Sequence, residues 1–370
     1  MRAAHGAPSV VGMNNTLIIG GGQSGLATAY HLTRMGRDCL VLDASERVGD
    51  AWRRRWPSLR LYSPARYDSL PGMPFPAPRH SFPTGREMGD YLEAYAQRFE
   101  LPVRNGVRVE SLERDGDRYV ATVNGERFEA ENVVIATGGY VDPFVPGFAR
   151  ELDPSIRQLH SNDYRGPEQL QEGPVLVVGA AHSGGDIAYE LVQAGHETLL
   201  SGRATGQIPF RLEGRVTRFV FPVLRFVWTR VVTVRTPIGR KVRAKIRAHG
   251  GPLLRVKEAD LRAAGVERVA RVAGVADRLP VLEDGRVVEA ANVVWCTGFH
   301  NDYSWIRFPL PIGEDGFPEQ TRGAVAGLPG LYFVGLKFQD SFSSMLILGA
   351  VRDAERVAKQ IASSRARAAA

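Results

Sequence analysis

The chain of 370 residues is long enough for two domains. Its 44% hydrophobic and 24% charged residues are typical of a globular protein and exclude a disordered or fibrous chain. The 47 Lys and Arg residues outnumber the 40 Asp and Glu residues, so the net charge of +7 keeps nucleic acid, an acidic membrane surface and a phosphorylated ligand open as partners.

Two cysteines, Cys39 and Cys296, are too few for a disulfide framework, a CxxC redox pair or a thiolate metal site. The histidines lack the HxxxH or HxH spacing of a metal site, so no metal is expected. The first 15 residues contain no apolar core of a signal peptide, and no stretch of 18 uncharged apolar residues predicts a membrane span. A cytoplasmic protein is therefore expected, with residues 1–12 as a loose tail before Met13.

The first predicted elements form a strand, a glycine turn, a helix and a second strand. An apolar strand at residues 16–19 runs into the sequence GGGQSG at 20–25, and the apolar spacing predicts a helix over 26–35. The second strand, Cys39–Leu42, ends at Asp43. This order is typical of a βαβ unit that binds a dinucleotide.

The glycines of this turn have separate physical roles. Gly20 allows the tight turn, Gly22 lets the backbone approach a pyrophosphate, and Gly25 lets the helix pack close to the strand. The phosphates would lie at the helix N-terminus, and the carboxylate of Asp43 would accept a hydrogen bond from a ribose. The sequence therefore predicts a dinucleotide site here.

The second half of the chain repeats this pattern. Strand Val175–Val178 leads into the turn GAAHSG at 179–184, followed by a predicted helix over 186–194 and a strand over 198–200. Ala181 replaces the middle glycine, and Arg203 stands where an acid is expected. An arginine there favours the 2′-phosphate of NADPH over NADH, although it would equally fit a solvated loop.

Two further strands support a duplication. Residues 132–138 and 292–298 are apolar runs that end in Thr-Gly. Each run follows its glycine turn at nearly the same spacing, which is 113 residues from Gly25 to Gly138 and 114 residues from Gly184 to Gly298. Two dinucleotide modules in one chain imply electron transfer between a flavin and a nicotinamide. The predicted fold class is α/β, with two Rossmann-like dinucleotide-binding domains.

At this point the sequence resembles the flavin-containing monooxygenases, especially their YUCCA-like and CzcO-like members. The resemblance runs over about residues 15–360. It rests on the motifs VGDAW, PSLRL and MPFP between residues 48 and 76, on His160 with Tyr164, and on GLYFVG at 330–335 followed by SSML at 343–346.

The resemblance implies a role for each matching residue. Trp52 and Arg60 would contact the flavin half of FAD, Val109 its adenine, and Asp43 its ribose. The residues that it assigns to the rest of the FAD site are Gly20, Gly22, Gln23, Ser24, Gly25, Thr137, Gly138, Met345 and Leu346. Those that it assigns to NADPH are Gly179, Ala181, Ser183, Gly184, Arg203, Thr297 and Gly298. Arg66 and Tyr67 would be donors over the reactive flavin face, and would equally fit surface positions.

The activity that the resemblance implies is monooxygenation. NADPH would reduce FAD, oxygen would form a flavin hydroperoxide, and one oxygen atom would pass to a small organic substrate. An NADPH-dependent flavoprotein reductase or oxidase without oxygen transfer, and a flavin-binding membrane-surface protein, stay open as alternatives. A monomer or homodimer is expected.

The predicted boundaries put the FAD module at about 1–150 and 290–370 and the NADPH module at about 165–290. The segment 214–257, here called the basic insert, holds 12 Lys or Arg and no Asp or Glu, so the rest of the chain sums to 7 − 12 = −5. The basic insert is consistent with an additional helical segment whose charge attracts an anionic ligand, and equally with a peripheral membrane contact through residues 216–247. No recognition module accompanies the charge, so nucleic acid is not expected as a partner.

Overall fold

The structure is a computed structural model and describes residues 10–248 and 250–368. The strands are β1 (Val10–Ile19), β2 (Cys39–Leu42), β3 (Val103–Arg104), β4 (Ser111–Asp115), β5 (Arg118–Val123), β6 (Glu126–Ile135), β7 (Asp142–Pro143), β8 (Arg157–His160), β9 (Val175–Val178), β10 (Thr198–Ser201), β11 (Glu267–Val269), β12 (Val272–Ala276), β13 (Leu279–Leu282), β14 (Asn292–Trp295), β15 (Phe299–His300), β16 (Gln320–Thr321), β17 (Ala324–Val325) and β18 (Leu331–Phe333). The α-helices are α1 (Gln23–Arg34), α2 (Asp50–Arg53), α3 (Gly85–Arg98), α4 (His182–Gln193), α5 (Thr217–Phe226), α6 (Pro237–Ala248), α7 (Glu258–Ala264) and α8 (Ile347–Ala368).

The larger sheet has nine strands and a parallel centre. Its order is β16-β17-β18-β6-β1-β2-β3, and β5 and β4 extend from β6 as an antiparallel hairpin. Ile19 at the end of β1 pairs with Leu42 of β2 and with Ile135 of β6. The three strands therefore end together, and this brings the first glycine turn beside Asp43 and the segment after β6.

The smaller sheet has five strands in the order β11-β10-β9-β14-β8, all parallel. Val178 at the end of β9 pairs with Ser201 of β10 and with Trp295 of β14, so the second glycine turn has the same setting as the first. A sheet with a parallel centre and a fully parallel sheet, both with helices against them, confirm the predicted α/β class with Rossmann-like domains.

The first strand is longer than predicted. β1 begins at Val10, and Val10 and Gly12 pair with Arg127 and Phe128 of β6. The prediction of a loose tail is therefore wrong for residues 10–12, while residues 1–9 lie outside the described part of the chain. The pairing is available because β6 is itself ten residues long and extends past the parallel centre of the sheet.

Helices cover the larger sheet mainly through small and apolar side chains. Helix α1 buries Leu26, Ala29 and Leu32, and α8 packs beside it with Ala354 and Val357 fully buried. Both glycine-turn helices start earlier than predicted, α1 at residue 23 and α4 at residue 182, because the turn leads straight into the first helical residue. The two N-termini therefore lie directly at the ends of β1 and β9.

The two sheets are joined by paired linkers. Strand β7 pairs antiparallel with β15, so the outgoing and returning chains run side by side. A third connection is the segment after α2, whose Trp56 is buried in the core of the smaller sheet.

The basic insert reaches from the smaller sheet back to the larger one. It consists of α5, a π-helical turn (Val227–Val231), α6 and the chain returning to α7. Thr233 forms a β-bridge with Ser341, and the Val234 amide donates to the Asp340 carbonyl at 2.9 Å. The buried Arg247 donates to Asp315 at 2.7 Å. The insert is thus a strap across both sheets. Within residues 10–248 and 250–368, no helix is long and apolar enough to cross a bilayer.

Candidate active site

The first glycine turn is shaped for close backbone approach. Gly20 has φ +111°, and a Cβ on it would lie 2.5 Å from the Ala136 carbonyl oxygen. A Cβ on Gly25 would lie 1.9 Å from the carbonyl oxygen of Gly20, so helix and strand touch there. Gly22 faces open space, and α1 begins without a side-chain cap or a first-turn acid. Free amide groups and an open approach fit a pyrophosphate.

Asp43 lies beside this turn as predicted from its place after β2. Its carboxylate accepts hydrogen bonds from the amides of Gly21 and Ser45, and its carbonyl accepts from the Val107 amide at 2.9 Å. The contact with Val107 holds this segment of the chain at the end of β2, and Val109, two residues later, is half-buried against the core of the larger sheet. The side chain of Asp43 is therefore held at the rim of the turn, where a ribose hydroxyl could reach it.

Residues from distant parts of the chain also gather at α1. The Trp52 indole donates to the Gln23 amide oxygen at 3.1 Å, and a Cβ on Gly335 would lie 2.6 Å from Ser24 Oγ. Met345 and Leu346 are half-buried at the start of α8, which packs along α1. Arg60 is different, because its side chain is exposed and donates to the Phe82 carbonyl at 3.1 Å.

The second glycine turn has the same backbone conformation and close contacts as the first. Gly179 has φ +113°, and its Cβ would lie 2.3 Å from the Cys296 carbonyl oxygen. A Cβ on Gly184 would lie 1.8 Å from the Gly179 carbonyl oxygen. Helix α4 likewise begins without a side-chain cap or a first-turn acid, and Ser183 lies in its first turn. The methyl group of Ala181 faces the returning chain of the basic insert at Gly250.

Arg203 stands just beyond the second turn. A Cβ on Gly202 would lie 2.8 Å from the Ala180 amide nitrogen, so the end of β10 abuts the turn. Arg203 follows with an exposed side chain that has no hydrogen bond or ion pair to any residue that the structure describes. The neighbouring Arg211 is bound to Asp260 at 2.8 Å. Of the two arginines, Arg203 is the one available to an anionic ligand.

The two Thr-Gly strand ends differ in their contacts. Thr137 and Gly138 are exposed, whereas Thr297 donates its hydroxyl to the Phe144 carbonyl. The Gly298 carbonyl accepts from the Phe144 amide at 2.9 Å and lies 3.0 Å from His160 Nε2. Thr297 and Gly298 therefore also hold together the linkers that contain β7 and β15.

The ring of His160 has a defined tautomer. Its Nδ1 accepts from the Asn162 amide at 3.0 Å, so Nε2 carries the proton and donates to the Gly298 carbonyl. Burial lowers the pKa of His160, and the ring is therefore neutral near pH 7. His160, part of the sequence motif with Tyr164, acts here as a fixed connection between strand β8 and the linker.

A group of polar side chains joins the segment after α2 to the start of α4. The Tyr62 hydroxyl donates to Asp186 Oδ2 at 2.9 Å, and its ring lies edge-on to His182 at 5.2 Å. Burial raises the pKa of Asp186 to about 6 and lowers that of His182 to about 4. Near pH 7 His182 is therefore neutral, whereas Asp186 is still mostly ionised and accepts the hydrogen bond that ties α4 to the segment after α2.

A second group of side chains, at the linkers, is aromatic and cationic. The guanidinium of Arg55 lies 5.5 Å from the Tyr140 ring centre and 5.8 Å from that of Phe299. Tyr140 is 65% exposed, yet the surrounding protein raises the pKa of its hydroxyl.

The two predicted donors over the flavin lie next to the basic insert. Tyr67 is buried, and its ring stacks on Phe221 of α5 at 4.7 Å. Arg66 is exposed, with its guanidinium 5.0 Å from the Tyr67 ring centre.

Sequence reasoning missed Arg55, Tyr140, Asp186 and Lys337. None of them belongs to a local motif, and Tyr62 and Asp186 are 124 residues apart in the chain. Burial lowers the pKa of Lys337, and the positive charge of Lys337 contributes to the lowered pKa of His182. In the described part of the chain, no group of three or more His, Cys, Asp or Glu side chains could hold a metal.

Comparisons with known proteins agree with this geometry. Residues 17–214 match the model of the family described as pyridine nucleotide-disulphide oxidoreductase. The chain is 35% identical to an uncharacterized CzcO-like oxidoreductase of Geobacillus kaustophilus over 94% of its own length and 98% of the relative. It is 28% identical to the probable indole-3-pyruvate monooxygenase YUCCA9 of Arabidopsis thaliana, covering 95% and 89%.

A solved structure is similar over the same length. The flavin-containing monooxygenase from Stenotrophomonas maltophilia superposes with a TM-score of 0.77 at 26% identity, over 95% of this chain and 99% of that one. The chain therefore spans nearly the whole of each of these three proteins.

Proposed function

Because this chain belongs to the pyridine nucleotide-disulphide oxidoreductase family, we propose that it is an FAD- and NADPH-dependent monooxygenase. It would insert one oxygen atom from O2 into a small organic substrate. The observation that carries the proposal is the pair of equivalent glycine turns at Gly20–Gly25 and Gly179–Gly184, each at the ends of paired parallel strands. The full-length similarity to flavin monooxygenases supports it.

In this proposal FAD binds the larger sheet. The residues around the first turn would hold its pyrophosphate on the amides at the start of α1, with Asp43 on the ribose. Trp52, Met345 and Leu346 would lie toward the flavin ring, since they gather near α1. The FAD module would comprise residues 1–150 and 290–370.

NADPH would bind the smaller sheet, in a module of residues 165–290. Gly179, Gly184 and Ser183 would lie against its phosphates, and Arg203 would contact the 2′-phosphate because it is the unpaired arginine beside the turn. Thr297 and Gly298 would lie along the path of NADPH.

Bound FAD would accept a hydride from NADPH and, once reduced, activate O2 for transfer of one oxygen atom. The protein's own residues would orient the two cofactors and exclude water. Tyr62 with Asp186 ties the segment after α2 to the start of α4, which would fix the distance between the cofactor sites. Arg66 and Tyr67 stay our candidates for donors near the reacting atoms.

The proposal predicts that oxygen from O2 appears in a product. The purified protein should be supplied with NADPH and ¹⁸O₂ together with a ketone, an amine, a sulfide or a 2-oxo acid, and the products measured by mass spectrometry. We expect one ¹⁸O atom in the product of at least one class, with less peroxide released than NADPH consumed. Peroxide equal to the NADPH consumed, with every class, would instead favour a reductase or oxidase without oxygen transfer.

A further inference from the structure

The basic insert presents an apolar surface to solvent. Val216 and three residues of α5, namely Phe219, Val223 and Phe226, are 56%, 78%, 62% and 62% exposed. Their spacings of three, four and three residues put them on one face of the helix, here called the α5 face. Large apolar side chains grouped in this way mark an interaction site more often than chance exposure does.

The opposite side of the same helix is firmly packed. Phe221 is 2% exposed and stacks on Tyr67, and Trp228 in the following π turn packs on Phe342 at 5.1 Å. The β-bridge between Thr233 and Ser341 then fixes the strap to the larger sheet. The α5 face is therefore held outward by the fold.

The arginines that flank the α5 face have no carboxylate beside them. Arg215, Arg218, Arg225 and Arg230 are exposed, and none has a carboxylate within 4 Å among residues 14–248 and 250–364. Elsewhere in the insert Arg243 and Arg247 are paired with Asp315, and Arg255 is paired with Glu213. The charge beside the apolar face is thus left for an external anion.

We propose that the α5 face docks on an anionic lipid bilayer. Phe219, Val223 and Phe226 would enter the boundary between headgroups and acyl chains, and the arginines would contact lipid phosphates and carboxylates. A twofold contact with a second copy would bring the same arginines against each other, which like-charge repulsion opposes. Nucleic acid offers no counterpart for the exposed phenylalanines and valine, since its outer surface is a row of phosphates.

The test is co-sedimentation of the FAD-loaded full chain with vesicles. Vesicles of phosphatidylcholine with about one third phosphatidylserine should pull down the protein at low salt, and vesicles of phosphatidylcholine alone should bind it far less. Binding should weaken at about 0.5 M NaCl, where charge interactions are screened. The double variant F219S/F226S should bind at least about tenfold more weakly, because two phenylalanines no longer leave water.

Charge is tested by a matched pair of variants. R215Q/R218Q should reduce binding, whereas R150Q/R157Q, which removes two exposed arginines from another surface, should leave it unchanged. Each variant is compared at equal flavin content, so that misfolding is detected separately. No binding to anionic vesicles at low salt, or equal binding by F219S/F226S, would overturn the proposal. Self-association without lipid that F219S/F226S abolishes would assign the α5 face to a second copy instead.

Discussion

Replacing Gly184 by alanine should nearly abolish reduction of the flavin by NADPH and leave FAD bound. The new Cβ would lie 1.8 Å from the Gly179 carbonyl oxygen, so α4 must move by at least about 1 Å away from β9. A displacement of this size in a helix that positions a substrate lowers a reaction rate about a hundredfold, and we expect the rate of flavin reduction to fall by at least that factor. The measurement is anaerobic stopped-flow absorbance of the flavin after mixing with NADPH.

The equivalent change in the first turn, Gly25→Ala, should have the complementary result. Its Cβ would lie 1.9 Å from the Gly20 carbonyl oxygen, so the protein should be recovered with little FAD. Gly147→Ala and Gly274→Ala are matched controls, because a Cβ at either position meets nothing within 4 Å and neither has a positive φ. Full flavin content in Gly25→Ala, or a normal NADPH rate in Gly184→Ala, would refute the assignment of the two turns.

Arg203→Ala should raise the KM for NADPH and leave the KM for NADH almost unchanged. Arg203 is exposed and unpaired beside the second turn, so its expected partner is the 2′-phosphate that only NADPH carries. A charge-assisted contact at an exposed site is worth about 1.4 kcal/mol, and we therefore expect roughly a tenfold increase in KM.

Arg211→Ala is the control for this change, since Arg211 is already paired with Asp260. It should alter both KM values little. Equal increases for NADPH and NADH in Arg203→Ala would show that Arg203 does not select the 2′-phosphate.

The parts of the fold that sequence predicted are those encoded locally. Each glycine turn, its strand and its helix occupy about 25 consecutive residues, and Asp43 follows directly from its place at the end of β2. The extra length of β1 was missed because Gly12, Asn14 and Asn15 interrupt the apolar pattern, and the strand forms only through its pairing with β6.

The contacts between distant parts of the chain could not be predicted from local sequence, for a physical reason. Tyr62 meets Asp186, and Thr233 meets Ser341, only after both sheets have folded and the insert has crossed between them. The sequence showed that the basic insert is positively charged, but it did not show which of its arginines are buried and which face solvent. Arg247 is buried against the larger sheet, whereas Arg218 and Arg230 face solvent beside the α5 face.

The central claim is that reduced flavin and oxygen are held together long enough for oxygen transfer. The protein with its FAD is reduced anaerobically with NADPH, then mixed rapidly with oxygenated buffer while flavin absorbance and peroxide are followed. A site that shields the reacting atoms from water predicts an interval in which oxygen has been consumed but neither oxidised flavin nor peroxide has appeared. Oxidised flavin and one equivalent of peroxide, appearing together as soon as oxygen is added, would contradict the claim.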